Sequence, residues 1–238
     1  MTSLSPADAD RLRLAFQRCR DMEGTLNEQL RAYADAGREI FPAYGAAVDR
    51  LVVRLNENGG GENAPRSGEA MPPFILPDEN GKLIALPSLL ARGPAAVMFF
   101  RGHWCPYCRL NVRAVTEAHD RIKAMGAQIV AIMPETQEYS ERFKAESGAT
   151  FPVLTDLDNG YALSLNLAIW LGAEIQGLLS YQDMAKFHGN DGWILPIPAV
   201  FVVGRHGIVK ARFVDPDFRK RMEIDDLLEA LEQASREN

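Results

Sequence analysis

Between residues 6 and 57 apolar side chains recur at steps of three and four, with Leu12, Phe16, Leu26, Leu30, Ile40, Val48, Leu51, Val52 and Leu55 standing among charged neighbours. That period gathers them on one side of a helix and leaves charge on the other. Gly and Pro interrupt the pattern near residues 22–24 and at Phe41-Pro42, so the segment reads as two or three helices. The run Asn56-Glu-Asn-Gly-Gly-Gly-Glu-Asn-Ala-Pro65 follows. It is too polar and glycine-rich to build a core and reads as a flexible linker. The chain is therefore expected to divide into an N-terminal helical extension, residues 1–60, and a second domain, residues 61–238.

From Phe74 onward apolar runs alternate with amphipathic stretches, the signature of an α/β sheet. Residues 74–76 and 83–86 flank the turn Asp78-Glu-Asn-Gly81 and suggest a small hairpin. Residues 95–100 are continuously apolar, as suits a central strand covered on both faces. A helix is expected over 108–125, a strand over 128–133, a short helix over 139–146, a strand over 151–154 and a helix over 161–171. An insertion between 172 and 195 carries an expected helix at 175–186 and a polar turn. Strands at 200–203 and 208–213 face each other across Gly204-Arg-His-Gly207, and a helix at 224–234 ends the pattern.

Composition narrows the function classes. With 47% hydrophobic and 24% charged residues the chain has ordinary globular content. Its longest apolar stretches, 94–100 and 194–203, fall short of the roughly 18–20 residues of a spanning helix. The first ten residues lack a basic segment followed by an apolar one, so a cytoplasmic location without membrane contact is expected. A net charge of -6 argues against a nucleic-acid partner, whose phosphates need clustered Lys and Arg. Three cysteines are too few for a disulfide scaffold and are therefore structural thiols, metal ligands or catalytic groups.

Their spacing points to catalysis. In Phe99-Phe-Arg-Gly-His-Trp-Cys-Pro-Tyr-Cys-Arg-Leu110 a buried strand turns into a helix through Cys105-Pro106-Tyr107-Cys108. A cysteine at a helix N-terminus faces unpaired N–H groups and the positive end of the dipole, which favour thiolate. Pro106 suits the first helical position, and two cysteines three apart can close a disulfide. The alternative, a zinc site from Cys105, Cys108 and His103, lacks the second knuckle that a four-ligand site usually needs. Arg101, His103 and Arg109 flank the pair as candidates for steadying a thiolate or orienting a peroxide. Trp104 reads as a rim or packing residue, and Cys19 as a small packing residue. Pro198, just before an apolar strand, removes a ladder donor and would leave an exposed backbone edge opposite the cysteines. His119, His188 and His206 read as surface residues.

Residues 99–110, the stretch Phe151-Pro-Val-Leu-Thr-Asp-Leu-Asp-Asn-Gly160 and the turn Phe201-Val-Val-Gly-Arg-His-Gly207 together resemble the alkyl hydroperoxide reductase/thiol-specific antioxidant family. More narrowly, the chain resembles the peroxiredoxin-like branch with a helical N-terminal extension and a Cys-x-x-Cys, over residues 65–235. The resemblance implies a thioredoxin-like fold, a central mixed sheet flanked by helices, carrying a catalytic domain behind the extension. It implies an antioxidant thiol peroxidase, with a hydroperoxide as substrate, an external thioredoxin- or glutaredoxin-like dithiol as reductant, a homodimer, and no organic cofactor or metal.

The chain departs from the family's Pro-x-x-x-Thr-x-x-Cys. Aligned on Phe99-Phe100, Arg101 stands at the proline, Cys105 at the threonine and Cys108 at the peroxide-attacking cysteine. Pro198 stands where the family places an arginine. In the peroxidase reading Cys108 attacks and Cys105 resolves; in a thioredoxin-like disulfide reductase Cys105 attacks and Cys108 resolves. A redox sensor or metal-binding module is the non-enzymatic alternative.

Overall fold

The computed structural model describes residues 4–236; residues 1–3 of the expected extension and 237–238 at the other end lie outside the described residues. The chain opens with three helices, α1 (Pro6–Asp21), α2 (Leu26–Ile40) and α3 (Pro42–Glu57). Their ends are set by caps. Ser5 accepts the Asp8 N–H at 3.1 Å, and Thr25 and Glu28 form a reciprocal capping box. Pro42 occupies the first turn of α3, where its missing N–H costs nothing. The breaks thus fall where the sequence places them.

The apolar stripe of these helices is not a separate core. Leu30, Tyr33, Val48 and Leu51 belong to the same buried cluster as Cys108, Leu110 and Val112. Cys19 is buried in that cluster as a packing residue. Residues 58–65 differ from the flexible linker expected of their composition. Gly60 donates to the Leu55 carbonyl at 2.8 Å, and Arg212 donates to the carbonyls of Ala64 and Pro65 at 2.6 and 3.1 Å. An arginine from a later strand therefore ties down a run that composition alone leaves loose.

A short antiparallel hairpin, β1 (Ile75–Pro77) and β2 (Leu83–Ala85), leads through α4 (Leu86–Leu90) into the sheet. β3 (Ala95–Phe99) lies in its middle. Parallel to β3 runs β4 (Gln128–Met133), and parallel to that β5 (Val153–Thr155). On the other side β8 (Ala199–Val203) and β9 (Val209–Val214) are antiparallel, giving the order β5-β4-β3-β8-β9. The period of two shows directly: Ala96, Met98 and Phe100 enter one core, whereas Ala95, Val97 and Phe99 enter the other. Helix α5 (Pro106–Ala124) follows β3, α6 (Gln137–Ser147) follows β4, and α10 (Ile224–Arg236) follows β9.

Two expected helices differ. The one at 161–171 stops as α7 (Gly160–Ser164), because Asn166 takes a left-handed turn at φ 56° and the chain continues as β6 (Ala168–Trp170), paired with β7 (Ile194–Pro196). The one at 175–186 divides into α8 (Ala173–Leu178) and α9 (Met184–His188), where Asp183 caps the second piece through the Lys186 N–H at 3.3 Å. Among the described residues no helix is long and apolar enough to cross a membrane.

Candidate active site

The Phe100 N–H donates to Ile132 at 2.9 Å and extends the edge of β3 against β4 before the chain turns. Gly102 makes that turn at φ +143°, and a Cβ there would lie 2.6 Å from both Glu135 Oε1 and Trp104 Nε1. Glycine is required on both counts. The turn delivers Cys105 as the N-cap of α5, with Pro106 at the first helical position and Cys108 one turn in. Both thiols are free and buried, Cys105 1% and Cys108 0% exposed.

Two arginines reach the pair, one for each sulfur. Arg101, 2% exposed, places Nη1 4.0 Å from Cys105 Sγ, and its backbone N–H donates to Cys108 Sγ at 3.3 Å. Its guanidinium lies 3.8 Å from the centre of the Phe218 ring and 5.1 Å from that of Trp104. Arg221, also buried, donates from Nη2 to Cys108 Sγ at 3.7 Å and from Nη1 to the carbonyls of Phe218 and Lys220. Sequence reasoning missed Arg221, which lies 113 positions from Cys108. Asn27 of α2 holds its backbone, donating to the Arg221 carbonyl at 2.8 Å and accepting its N–H at 3.1 Å.

These surroundings separate the two thiols. Burial opposes ionisation of Cys105, but the Cys108 hydrogen bond and the charges of Arg101 and Arg221 outweigh it and hold this thiol down at about 6. Burial and then the neighbouring Cys105 push Cys108 well above the ordinary thiol range. Cys105 also lines a cavity of about 320 Å³ together with Arg101, Trp104, Tyr44 and Phe218, whereas Cys108 does not. Arg101 Nη2 is buried with no hydrogen-bond partner. Cys105 and Arg101 therefore line one space.

The other expected site residues are dispersed. His103 turns away from the thiols: its ring meets Glu135 Oε1 at 2.7 Å, its N–H donates to Glu135 Oε2 at 2.8 Å, and it stacks on Tyr139. Burial pushes the Glu135 carboxyl up against these contacts. Trp104 donates from Nε1 to His188 Nε2 at 3.3 Å. Arg109 pairs with Glu146 at 3.7 Å and makes no hydrogen bond to either sulfur. Pro198 is buried and follows a trans peptide bond; the β3–β8 register, extended two residues, sets it opposite Phe100. The exposed edge expected there is covered.

Two histidines expected at the surface are interior. His119 bonds Thr150 Oγ1 at 2.5 Å, and His188 is brought under Trp104 by the α9 turn. Burial, then the charges of Arg101 and His103, lowers His188 to about 4, so it accepts the indole N–H as a neutral ring. Among the described residues no group of three His, Cys, Asp or Glu side chains is placed to hold a metal ion.

Glu135 fixes the loop that aims Cys105, which gives a testable consequence. Glu135→Leu leaves the buried His103 N–H and ring without a partner, so it is expected to lower stability by roughly 1–3 kcal/mol in urea unfolding. Unchanged stability would show that the dyad does not hold the loop.

The model of the AhpC/TSA family matches residues 67–212. The thiol-disulfide oxidoreductase ResA of Bacillus subtilis is 31% identical over 99 residues, which cover 41% of this chain and 54% of that protein. Chloroplastic peroxiredoxin Q of Sedum lineare is 27% identical over 92 residues, covering 39% and 49%. The chain thus spans about half the length of these curated relatives. The crystal structure of peroxidoxin BcpB from Mycobacterium tuberculosis superposes with a TM-score of 0.56 at 18% identity, covering 71% of this chain and 97% of that one, a likeness of fold. With its thiols at the start of a helix behind the central strand, and a family match over well over half its length, the chain belongs to the AhpC/TSA family.

Proposed function

We propose that this protein is a two-cysteine thiol peroxidase in which Cys105, not Cys108, attacks the hydroperoxide. The observation that carries this reading is that Cys105, at the N-cap of α5, lines the same cavity as the buried Arg101, whereas Cys108 does not. The Cys105 thiolate attacks the terminal peroxide oxygen and the O–O bond breaks. The alkoxide leaves and takes up a proton, while Arg101 supplies hydrogen bonds to the developing oxygen charge. Cys105 is then a sulfenic acid. The Cys108 thiol attacks its sulfur, water departs, and the Cys105–Cys108 disulfide forms. An external dithiol returns both sulfurs to thiols through a mixed disulfide.

Burial separates this reading from disulfide exchange with proteins. A cysteine 1% exposed but lining the cavity admits a small peroxide, whereas a protein disulfide must approach its sulfur in line. The same argument applies to the reductant. A small dithiol reaches Cys105 directly, and a thioredoxin- or glutaredoxin-like protein requires the cavity wall to open. A cytoplasmic location would keep the pair reduced between turnovers. A homodimer is part of the proposal and is checked by light scattering.

The second reading, a thiol-disulfide oxidoreductase, is favoured by the position of Cys105 at the start of α5. One experiment divides the two. The reduced protein with dithiothreitol is given an organic hydroperoxide in one assay and insulin in another. Catalysed peroxide consumption with insulin reduction at the rate of dithiothreitol alone is the expected result. The reverse pattern makes the chain a disulfide reductase on a peroxiredoxin-like frame.

A further inference from the structure

The cavity beside Cys105 is built largely by elements that carry neither thiol. Phe16 of α1, Gly37 of α2 and Val48 of α3 wall it. Its charged lining is of one sign: Arg13, Arg38, Arg101, Arg109 and Arg219, with no Asp or Glu, in a chain whose net charge is -6. Arg13 pairs with Asp10 at 3.1 Å, and Arg38 and Arg219 are committed to Asp49 at 2.7 and 2.8 Å. Arg109 is held less closely: its ion pair with Glu146 is 3.7 Å long, and its guanidinium lies 4.9 Å from the centre of the Phe16 ring. Apolar walls with an arginine held only by a long ion pair match a molecule with an apolar body and an anionic head. Arg101, buried and with Nη1 4.0 Å from Cys105 Sγ, adds a second cationic group beside the sulfur.

We propose that helices α1–α3 form, with the thiol loop, a binding site for a medium-chain carboxylate. The chain lies against Phe16 and Val48, and the carboxylate pairs with Arg109. Delivery of the hydroperoxide of such an acid to Cys105 rests on the peroxidase reading; the binding itself does not.

The test therefore measures binding without turnover. Decanoate, decanol and decylammonium are titrated into the reduced full-length protein by calorimetry and by tryptophan fluorescence, Trp104 being part of the wall. Decanoate is expected to bind one to one, about tenfold or more tighter than decanol, with decylammonium weakest. Arg109→Gln is expected to bring decanoate to within about threefold of decanol. Gly37→Phe is expected to weaken both ligands, since a Cβ at this helical position meets nothing within 4 Å and the ring fills the cavity without a backbone clash. Decanoate binding no tighter than decanol overturns the proposal whatever the variants do, and so does undiminished binding in a folded Gly37→Phe protein. Peroxide consumption without decanoate binding removes this site alone; decanoate binding without peroxide consumption removes the peroxidase reading alone.

Discussion

Cys105→Ser is expected to lower hydroperoxide turnover by at least about 10³-fold, because the only thiol held toward its thiolate is gone. Cys108 cannot replace it. That sulfur is 0% exposed, lies off the cavity and is pushed well above the ordinary thiol range by burial and by its neighbour. Cys108→Ser is expected to behave differently: the first oxidation proceeds, but no disulfide forms and dithiol-driven turnover stalls. Steady-state peroxide consumption, with free thiols counted after one equivalent of peroxide, distinguishes the two variants. Alignment with the family assigns the roles the other way and expects the opposite pair of phenotypes. The proposal departs from that assignment because Cys105, at the N-cap of α5, lines the cavity and Cys108 does not.

Arg101→Met carries the second large effect. Methionine keeps an apolar stem beside Trp104 and Phe218 and removes the charge without leaving one buried. The sign for Cys105 follows from the thiolate being the reactive form. Reactivity rises with pH through the thiol's midpoint, about 6 in the native protein, and is level above it. Loss of the guanidinium moves that midpoint up toward the ordinary thiol range. At pH 6.5 two deficits then combine, fewer thiolates and roughly 10²-fold less stabilisation of the departing oxygen. At pH 9 most of the thiolate deficit has closed and the second dominates. A pH profile of the single-turnover rate reads both parts. A profile whose midpoint does not move would place the source of the lowered thiol elsewhere.

The same depression links to stability. A folded-state midpoint below the unfolded one means that the unfolded chain binds more protons between them. The reduced protein is therefore expected to gain stability as pH rises from about 6 toward the ordinary thiol range, and to lose that gain as pH falls through about 6. Arg101→Met flattens this slope.

What could be read from the sequence is what depends on local pattern. The buried run at 95–100, the helix start at Cys105-Pro106 and the helix breaks at Phe41-Pro42 each follow from a few neighbouring residues, and each stands where expected. What could not be read depends on distant residues meeting. Arg221 gives no sign of its partner, since only the packing of the β9–α10 connection under Asn27 brings it to Cys108. His103 reads as a thiol neighbour until Glu135, 32 positions away, captures its ring. His188 looks like part of a polar surface turn, yet α9 carries it under Trp104. The extension shows only an amphipathic period, which states that one face is buried but not that the face encloses a cavity beside the thiols. Asn166 is the local failure: nothing in the apolar spacing of 161–171 announces its left-handed turn.

The most direct test of the central claim is to locate the first oxidised sulfur. Cys108→Ser and Cys105→Ser proteins, fully reduced, are each mixed with one equivalent of an organic hydroperoxide in the presence of dimedone, which traps sulfenic acid. The peptides are then read by mass spectrometry. A rapid adduct on Cys105 in the first protein, with Cys108 in the second reacting no faster than buried Cys19, is the result expected. A rapid adduct on Cys108 in the second protein, with Cys105 in the first left unmodified, contradicts the account and returns the attacking role to Cys108.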